Sequence, residues 1–259
     1  MHGRGTALKS CPGSVRSVVL LSLGLVAGFG AAGAEAQVSP EGGLALDVRR
    51  ALHGNDELRA VQVSVEEGEA TLTGRVPTLR AKSQAIERSL RVKGIERVVS
   101  GLAIPRVEDE RQLAQAVVAS IVNYPFYTMF DYVYGGIGDG VVTLAGDVTP
   151  ERDKAAELVD RIARIRGVQA IRSTVEALPV GAADVRLRRV LAAGIFDNDF
   201  FHRYARLRLP PFHVIVRRGS VTLKGVVRDA VERRVMEQIV RRTFGVTRVV
   251  NELATERGP

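Results

Sequence analysis

The sequence predicts an α+β protein made of three tandem small sandwiches in α-β-β-α-β order, each with two helices packed on a three-stranded sheet. Three observations predict it. The pattern Gly-x-(Ala/Val)-Thr-Leu-x-Gly occurs three times, opened by the turn glycines Gly68, Gly140 and Gly219 and closed by Gly74, Gly146 and Gly225. Its copies begin 72 and 79 residues apart, at 68, 140 and 219, a spacing that suits a small domain rather than a short solenoid repeat. Each copy lies between two amphipathic stretches and is followed later by Gly-Ile or Gly-Val and a further strand pattern, so one element order is repeated three times.

In the first unit, residues 43–105, Leu44, Val48 and Leu52 recur at helical spacing until His53-Gly54-Asn55 interrupts them. Val61, Val63 and Val65 alternate with polar residues as a strand. Glu67-Gly68 supplies a tight hairpin turn, because glycine accepts the positive φ such turns need. Ala70, Leu72, Gly74 and Val76 continue as the second strand, and Gly146 and Gly225 hold the same strand position in the other units. Thr78 is placed to cap a helix striped by Leu79, Ile86 and Leu90 and ended by Gly94. A last strand, Ile95 to Ile104, completes the unit.

The second unit, residues 107–179, has a first helix striped by Leu113, Val117 and Ile121, and an Asp139-Gly140 turn. Its second helix is expected to begin at Thr149-Pro150 as cap and first-turn proline, with Leu158, Val159, Ile162 and Ile165 inward. The third unit, residues 182–255, places Val185, Val190 and Leu191 in its first helix and Val231, Val235 and Ile239 in its second. Units of this size lie near the lower limit for an independent core, so packing between them is expected. Successive strand residues face opposite ways, so Leu72, Leu144 and Leu223 are expected to face the helices while the preceding threonines face out.

Residues 1–36 read as an export signal. Arg4, Lys9 and Arg16 form the basic region, Val18 to Ala32 the apolar run, and Ala34-Glu35-Ala36 the cleavage site. Cys11, the single cysteine, would leave with it, so no thiol chemistry is expected of the mature chain. Residues 1–36 hold three of the 37 basic and one of the 29 acidic residues, which leaves 34 against 28, a net +6. That balance favours anionic partners, and after export these are phospholipid head groups or wall polymers before nucleic acid. No later segment is apolar for long enough to cross a membrane.

These residues resemble the BON family (bacterial OsmY and nodulation domain). The resemblance rests on the three Thr-Leu motifs, on Val76, Val148 and Val227 after them, and on Gly94-Ile95, Gly167-Val168 and Gly245-Val246. It covers about residues 43–254. It implies an exported, non-catalytic periplasmic module that binds phospholipid surfaces or supports envelope integrity under osmotic stress, with no cofactor. The alternative expectation is a protein-interaction scaffold docked on an outer-membrane or secretion assembly. No cysteine follows the signal, so a lipid anchor is not implied, and units two and three carry extra residues before their first strands.

Those extra residues hold nearly all the aromatics: Tyr124, Phe126, Tyr127, Phe130, Tyr132 and Tyr134, then Phe196, Phe200, Phe201, Tyr204 and Phe212. Two readings are open. The rings pack the connections onto the sheets and stitch units together, or part of each cluster forms a binding surface. The second reading suits unit three, where basic residues surround the rings. Its candidate membrane or partner residues are Phe200, Phe201, Arg203, Tyr204, Arg206 and Arg208. The unit-two cluster, with no Lys or Arg between Tyr124 and Gly140, is expected to be internal.

No catalytic constellation is expected. His53, His202 and His213 have different settings, and Asp197-Asn198-Asp199 reads as a helix cap rather than a metal site. Gly135-Gly136-Ile137-Gly138 precedes a strand instead of opening a helix, so a hairpin reading replaces a dinucleotide loop. The charged second helices, with Glu232 and Glu237 among arginines, read as solvated faces and not as a nucleic-acid surface.

Overall fold

The computed structural model describes residues 40–256; the predicted signal, residues 1–36, lies outside them. Among the described residues six α-helices and three three-stranded sheets follow one repeating order. The first set is α1 (Pro40–His53), β1 (Gln62–Glu66), β2 (Glu69–Arg75), α2 (Leu79–Leu90) and β3 (Arg97–Ala103). The second is α3 (Glu110–Val122), β4 (Tyr132–Gly138), β5 (Val141–Val148), α4 (Lys154–Ala163) and β6 (Ala170–Ala177). The third is α5 (Ala182–Phe196), β7 (Phe212–Arg217), β8 (Ser220–Val227), α6 (Ala230–Arg242) and β9 (Arg248–Thr255).

Each sheet places the Thr-Leu strand in the middle, antiparallel to the strand before it and parallel to the one after. The antiparallel pair needs only two turn residues, and these have positive φ in all three units: Glu67 46° and Gly68 76°, Asp139 53° and Gly140 75°, Arg218 50° and Gly219 77°. Two consecutive left-handed residues match the twist of the flanking strands, which sets the register of each hairpin. The parallel partner needs a crossover, which α2, α4 and α6 supply. Leu72, Leu144 and Leu223 are buried under the helices as the alternation requires. Full burial of such a side chain contributes about 1.5–3 kcal/mol relative to exposure.

The closing glycine of each motif departs from the ordinary strand position expected of it. Gly74, Gly146 and Gly225 lie within the middle strands but have φ of 116°, 130° and 101°, outside the range of regular strand residues. The backbone of the preceding strand approaches closely there. A Cβ on Gly74 would stand 3.0 Å from the Ala60 carbonyl oxygen, and on Gly146 and Gly225 it would overlap the carbonyl oxygens of Tyr132 and Pro211. These glycines are therefore required by conformation and by space, where the middle strand passes the start of its antiparallel partner.

Local chemistry starts the second helices. Thr78 Oγ1 accepts from Ala81 N at 3.1 Å, and Asp229 accepts from Val231 N and Glu232 N at 3.0 Å each. In unit two the cap is Asp153, not Thr149; the Asp153 side chain accepts from Ala156 N at 3.1 Å. Thr149 is buried instead, and the reason lies in a polar cluster described below.

Several predicted apolar stripes are partly rotated, although Leu79 and Ile86 of α2 and Val235 and Ile239 of α6 pack at the edge of their cores. Ala81, Ala85 and Ser89 face the core from α2, while Leu90 is exposed. In α5 the inward residues are Leu187, Leu191 and Ile195, with Val185 and Val190 outside. In α6 they are Glu232, Met236 and Val240, with Val231 outside. Small and polar residues lie inward at these helices because the neighbouring backbone or a specific partner is close, and neither is visible in apolar spacing. Gly135 to Gly138 belong to β4 itself, and a Cβ on Gly135 would overlap the Thr143 carbonyl oxygen.

Consecutive units touch. Arg80 of α2 is 2.9 Å from Asp160 of α4, and Leu79 packs on the cores of both units one and two. Among the described residues no helix is long and apolar enough to cross a membrane.

Candidate functional site

The six predicted contact residues lie on the segment between α5 and β7, which folds as a short 3-10 turn, His202–Arg206. The Asn198 carbonyl accepts from Phe201 N and His202 N, 2.9 Å each, and this closure turns the rings inward. Phe201 is fully buried and Tyr204 nearly so; their rings pack on Phe212 at centroid separations of 5.9 and 5.3 Å. Neither is available as a surface residue, contrary to the sequence expectation. Arg203 donates to Tyr204 Oη and to Glu232 Oε1, both at 2.6 Å. Glu232, read in the sequence as part of a solvated face, is fully buried and also accepts from Tyr204 Oη and Arg228 N.

Arg208 is spent on structure as well. Its Nη1 and Nη2 donate to the carbonyls of Val122 and Tyr124, at 2.9 and 2.7 Å. The guanidinium satisfies the last carbonyl of α3, that of Val122, and opposes the negative end of the helix dipole, while the Tyr124 carbonyl also accepts from Tyr127 N. Phe200 and Arg206 are the members of the predicted set that stay exposed without such engagement.

The aromatic insertions of units two and three meet. His213 of β7 stands 5.9 Å from the Tyr127 ring and 5.3 Å from that of Tyr132. Met129, from unit two, is buried in the unit-three core, and its carbonyl accepts from Val214 N at 2.7 Å. Arg217 pairs with Asp147 across the same junction, and Leu209 packs on the unit-two core. The first reading of the clusters therefore holds: they stitch the units. Burial drives the His213 imidazole below its ordinary value against the opposing pull of the Asp131 backbone and carboxylate, so the ring is neutral at pH 7. Tyr124 and Tyr127 are internal, as expected of unit two, whereas Phe126 and Tyr134 are exposed. Burial and the hydrogen bond to Glu157 push the Tyr124 hydroxyl up to about 12.

Beneath the seam lies a buried polar cluster that the sequence reading missed. Asp131 has no exposed side-chain surface and accepts from Thr128 N, Thr128 Oγ1, Thr149 N, Thr149 Oγ1 and Lys154 Nζ. Lys154 Nζ also donates to Thr149 Oγ1 at 2.6 Å. The ammonium has three donors and all are used, so the cluster is closed to outside ligands. Its one signal in the sequence was an aspartate set inside an aromatic stretch without a neighbouring cation.

One end of each unit gathers the hairpin tip and the turn that follows the second helix. In unit three, Thr247 N donates to the Gly219 carbonyl at 2.9 Å, and Asp184 in the first turn of α5 accepts from Arg218 N and Gly219 N. Phe244, immediately before Gly245, is 99% exposed at this end, and Val180, just ahead of α5, is 89% exposed. Among the described residues no group of three or more His, Cys, Asp or Glu is arranged to hold a metal ion. Asp197, Asp199 and His202 are exposed.

The BON domain model matches residues 41–106 and 200–257. Both segments are BON domains. Residues 107–199 fall between the matches. No match was found among the curated proteins. Solved structures similar to the chain include the C-terminal domain of CdsD, a structural protein of the type III secretion system of Chlamydia trachomatis. It is 16% identical over 82% of this chain and 96% of that one, with a TM-score of 0.24. Another is the periplasmic domain of the type III secretion inner-membrane protein PrgH from S. typhimurium, 13% identical over 80% of this chain and all of that one, with a TM-score of 0.21.

The two BON domains differ at their equivalent ends. The first turn residue is Glu67 in the N-terminal BON domain and Arg218 in the C-terminal one, with Asp139 in the unit between. The residue before the turn glycine is Lys93 and Arg166 in the first two units but Phe244 in the third. Around Phe244, Arg218, Arg242 and Arg248 are exposed, and none forms an ion pair among the described residues. Asp184 faces inward to the hairpin backbone, so the C-terminal BON domain presents a protruding ring and uncompensated positive charge together.

Proposed function

We propose that the protein is a non-enzymatic periplasmic envelope protein that attaches reversibly to anionic phospholipid surfaces and supports envelope integrity under osmotic stress. In this reading the middle unit is a third, divergent BON-like domain, sharing the Thr-Leu motif and the element order of its neighbours. The observation that carries the reading is the exposed Phe244 with Arg218, Arg242 and Arg248 around it. A ring at a loop tip enters the interfacial layer while the guanidinium groups stay at head-group level. Each arginine contributes about 1 kcal/mol near an anionic leaflet. Partial burial of the phenylalanine adds about 1–2 kcal/mol. The total of about 4–5 kcal/mol gives millimolar to sub-millimolar attachment, which is reversible and sensitive to salt.

Vesicle flotation tests it. Purified protein should float with phosphatidylglycerol-containing vesicles at low salt, and much less with pure phosphatidylcholine vesicles. Phe244→Ser and the triple change Arg218→Gln, Arg242→Gln, Arg248→Gln should each reduce flotation, whereas Arg208→Ala should not. Equal flotation with both vesicle types, or no loss in the Phe244 and triple variants, would refute the reading. A stoichiometric protein recovered by cross-linking in cells, with no vesicle binding, would favour a scaffold on an envelope assembly instead.

A further inference from the structure

A cleft of 490 Å³ opens where units two and three meet, and its lining includes neither Phe244 nor the arginines around it. One wall is α5, contributing Arg188, Arg189 and Ala192. The other comes from unit two: Phe126 and Phe130 above, Glu151 and Arg152 beside them. Its size and its mainly apolar lining with a few polar groups fit a small-molecule site.

Arg188 is the unusual member. Its side chain is 5% exposed, yet Nε and Nη1 have no hydrogen-bond partner among the described residues. Its hydrogen bond is from Nη2 to the Val216 carbonyl at 3.3 Å, and its nearest carboxylate, Glu151 Oε1, stands 3.8 Å from Nη1. Buried guanidinium donors are normally satisfied, and a cation left this incompletely paired costs free energy that an incoming oxyanion would recover. Glu151 is 55% exposed and too distant for a hydrogen bond, so it neutralises Arg188 without saturating it.

The rest of the cleft reinforces that polarity. Arg152 lies over the Phe126 ring at 3.8 Å to the centroid and donates to Glu157, and Arg189 forms no ion pair among the described residues. Lys154 reaches the wall too, but its ammonium is used by Asp131 and Thr149. The unmet donors are therefore those of one arginine, set beside Phe126, Phe130 and Ala192.

We propose that this cleft binds a single-chain anionic amphiphile, its phosphate or carboxylate head on Arg188 and its apolar chain along Phe126, Phe130 and Ala192. Binding displaces Glu151 from Arg188. Because the head is held by donors of fixed geometry, the neutral amphiphile of equal chain length is rejected. The site is independent of attachment through Phe244, since no residue is common to the two.

Decyl phosphate, used below its micelle-forming concentration, is the probe. Calorimetric titration of the purified protein should show saturable single-site binding, with inorganic phosphate far weaker and decyl maltoside without effect. Arg188→Gln should weaken decyl phosphate binding by roughly tenfold or more, the range of a charge-assisted hydrogen bond. Glu151→Gln should strengthen it by removing the competing carboxylate, and Ala192→Trp should block it by filling the cleft. The last two positions are not buried, so they keep the test decisive if Arg188→Gln fails to fold. Phe244→Ser should leave this binding unchanged. Decyl maltoside binding as well as decyl phosphate, or undiminished binding in Ala192→Trp, would overturn the proposal.

Discussion

Replacing Lys154 with methionine keeps most of the stem volume and deletes one buried charge. The wild-type ammonium lies 2.8 and 3.0 Å from the two Asp131 oxygens and 2.6 Å from Thr149 Oγ1. In the variant, Asp131 keeps two backbone and two hydroxyl donors, at 2.6 to 3.1 Å, and loses the one cation paired with it among the described residues. Four hydrogen bonds do not replace a cation for a carboxylate with no exposed surface, so breaking the pair costs about 3–5 kcal/mol. An exposed pair would cost less than about 1 kcal/mol. With a urea slope of about 2–3 kcal/mol per molar, the midpoint for unit two should fall by about 1–2 M. Adding Asp131→Asn to Lys154→Met should recover a large part of the loss, because the uncompensated charge is gone while the side-chain shape remains. A Lys154→Met loss below about 1 kcal/mol, or a double variant less stable than the single, would refute the argument that the cluster acts as a closed, desolvated unit.

Two other stability tests probe the strands and the seam. Gly135→Ala should abolish the unit-two fold or cost more than about 4 kcal/mol, because its Cβ would overlap the Thr143 carbonyl, whereas Gly136→Ala, with nothing within 4 Å, should cost little; thermal melts separate them. The His213 pKa is depressed in the folded state, so its contribution is fully present above the ordinary value of 6.5 and is lost as pH falls through the folded value, where the unfolded chain binds more protons. Urea midpoints should therefore fall as pH drops below 6.5, and His213→Gln should flatten that part of the profile.

Much of this architecture was legible because its causes are local. Two positive-φ residues at Glu67-Gly68, Asp139-Gly140 and Arg218-Gly219, alternation around the Thr-Leu strands, and side-chain caps such as Thr78 all act within a few residues. What misled was apolar spacing where a particular partner decided orientation. Val185, Val190 and Leu191 carry the predicted pattern, yet of these only Leu191 is buried, together with Leu187 and Ile195, because Asp184 at the start of α5 is held by the Arg218-Gly219 turn and sets the rotation of the helix. Thr149 has the residue type of a cap and is instead drawn into the Asp131 cluster. The repeat showed that Gly146 and Gly225 recur, but their reason, a carbonyl of the neighbouring strand where a Cβ would stand, needed the paired strands. Phe244 takes the place that Lys93 and Arg166 hold in the other units, and its exposure became visible only once the turn was set beside Arg218.

Sequence alone determined the fold class, the threefold repetition of the element order, and the exclusion of cysteine chemistry from the described chain, since turn geometry, strand alternation and residue inventory need no long-range information. Tertiary structure decided which aromatics are core and which arginines are free. Arg208 meets carbonyls 84 and 86 positions away, and Arg203 meets a buried glutamate 29 positions away. A charged side chain's role is set by what desolvates and pairs with it, and for these residues that partner belongs to a distant part of the chain.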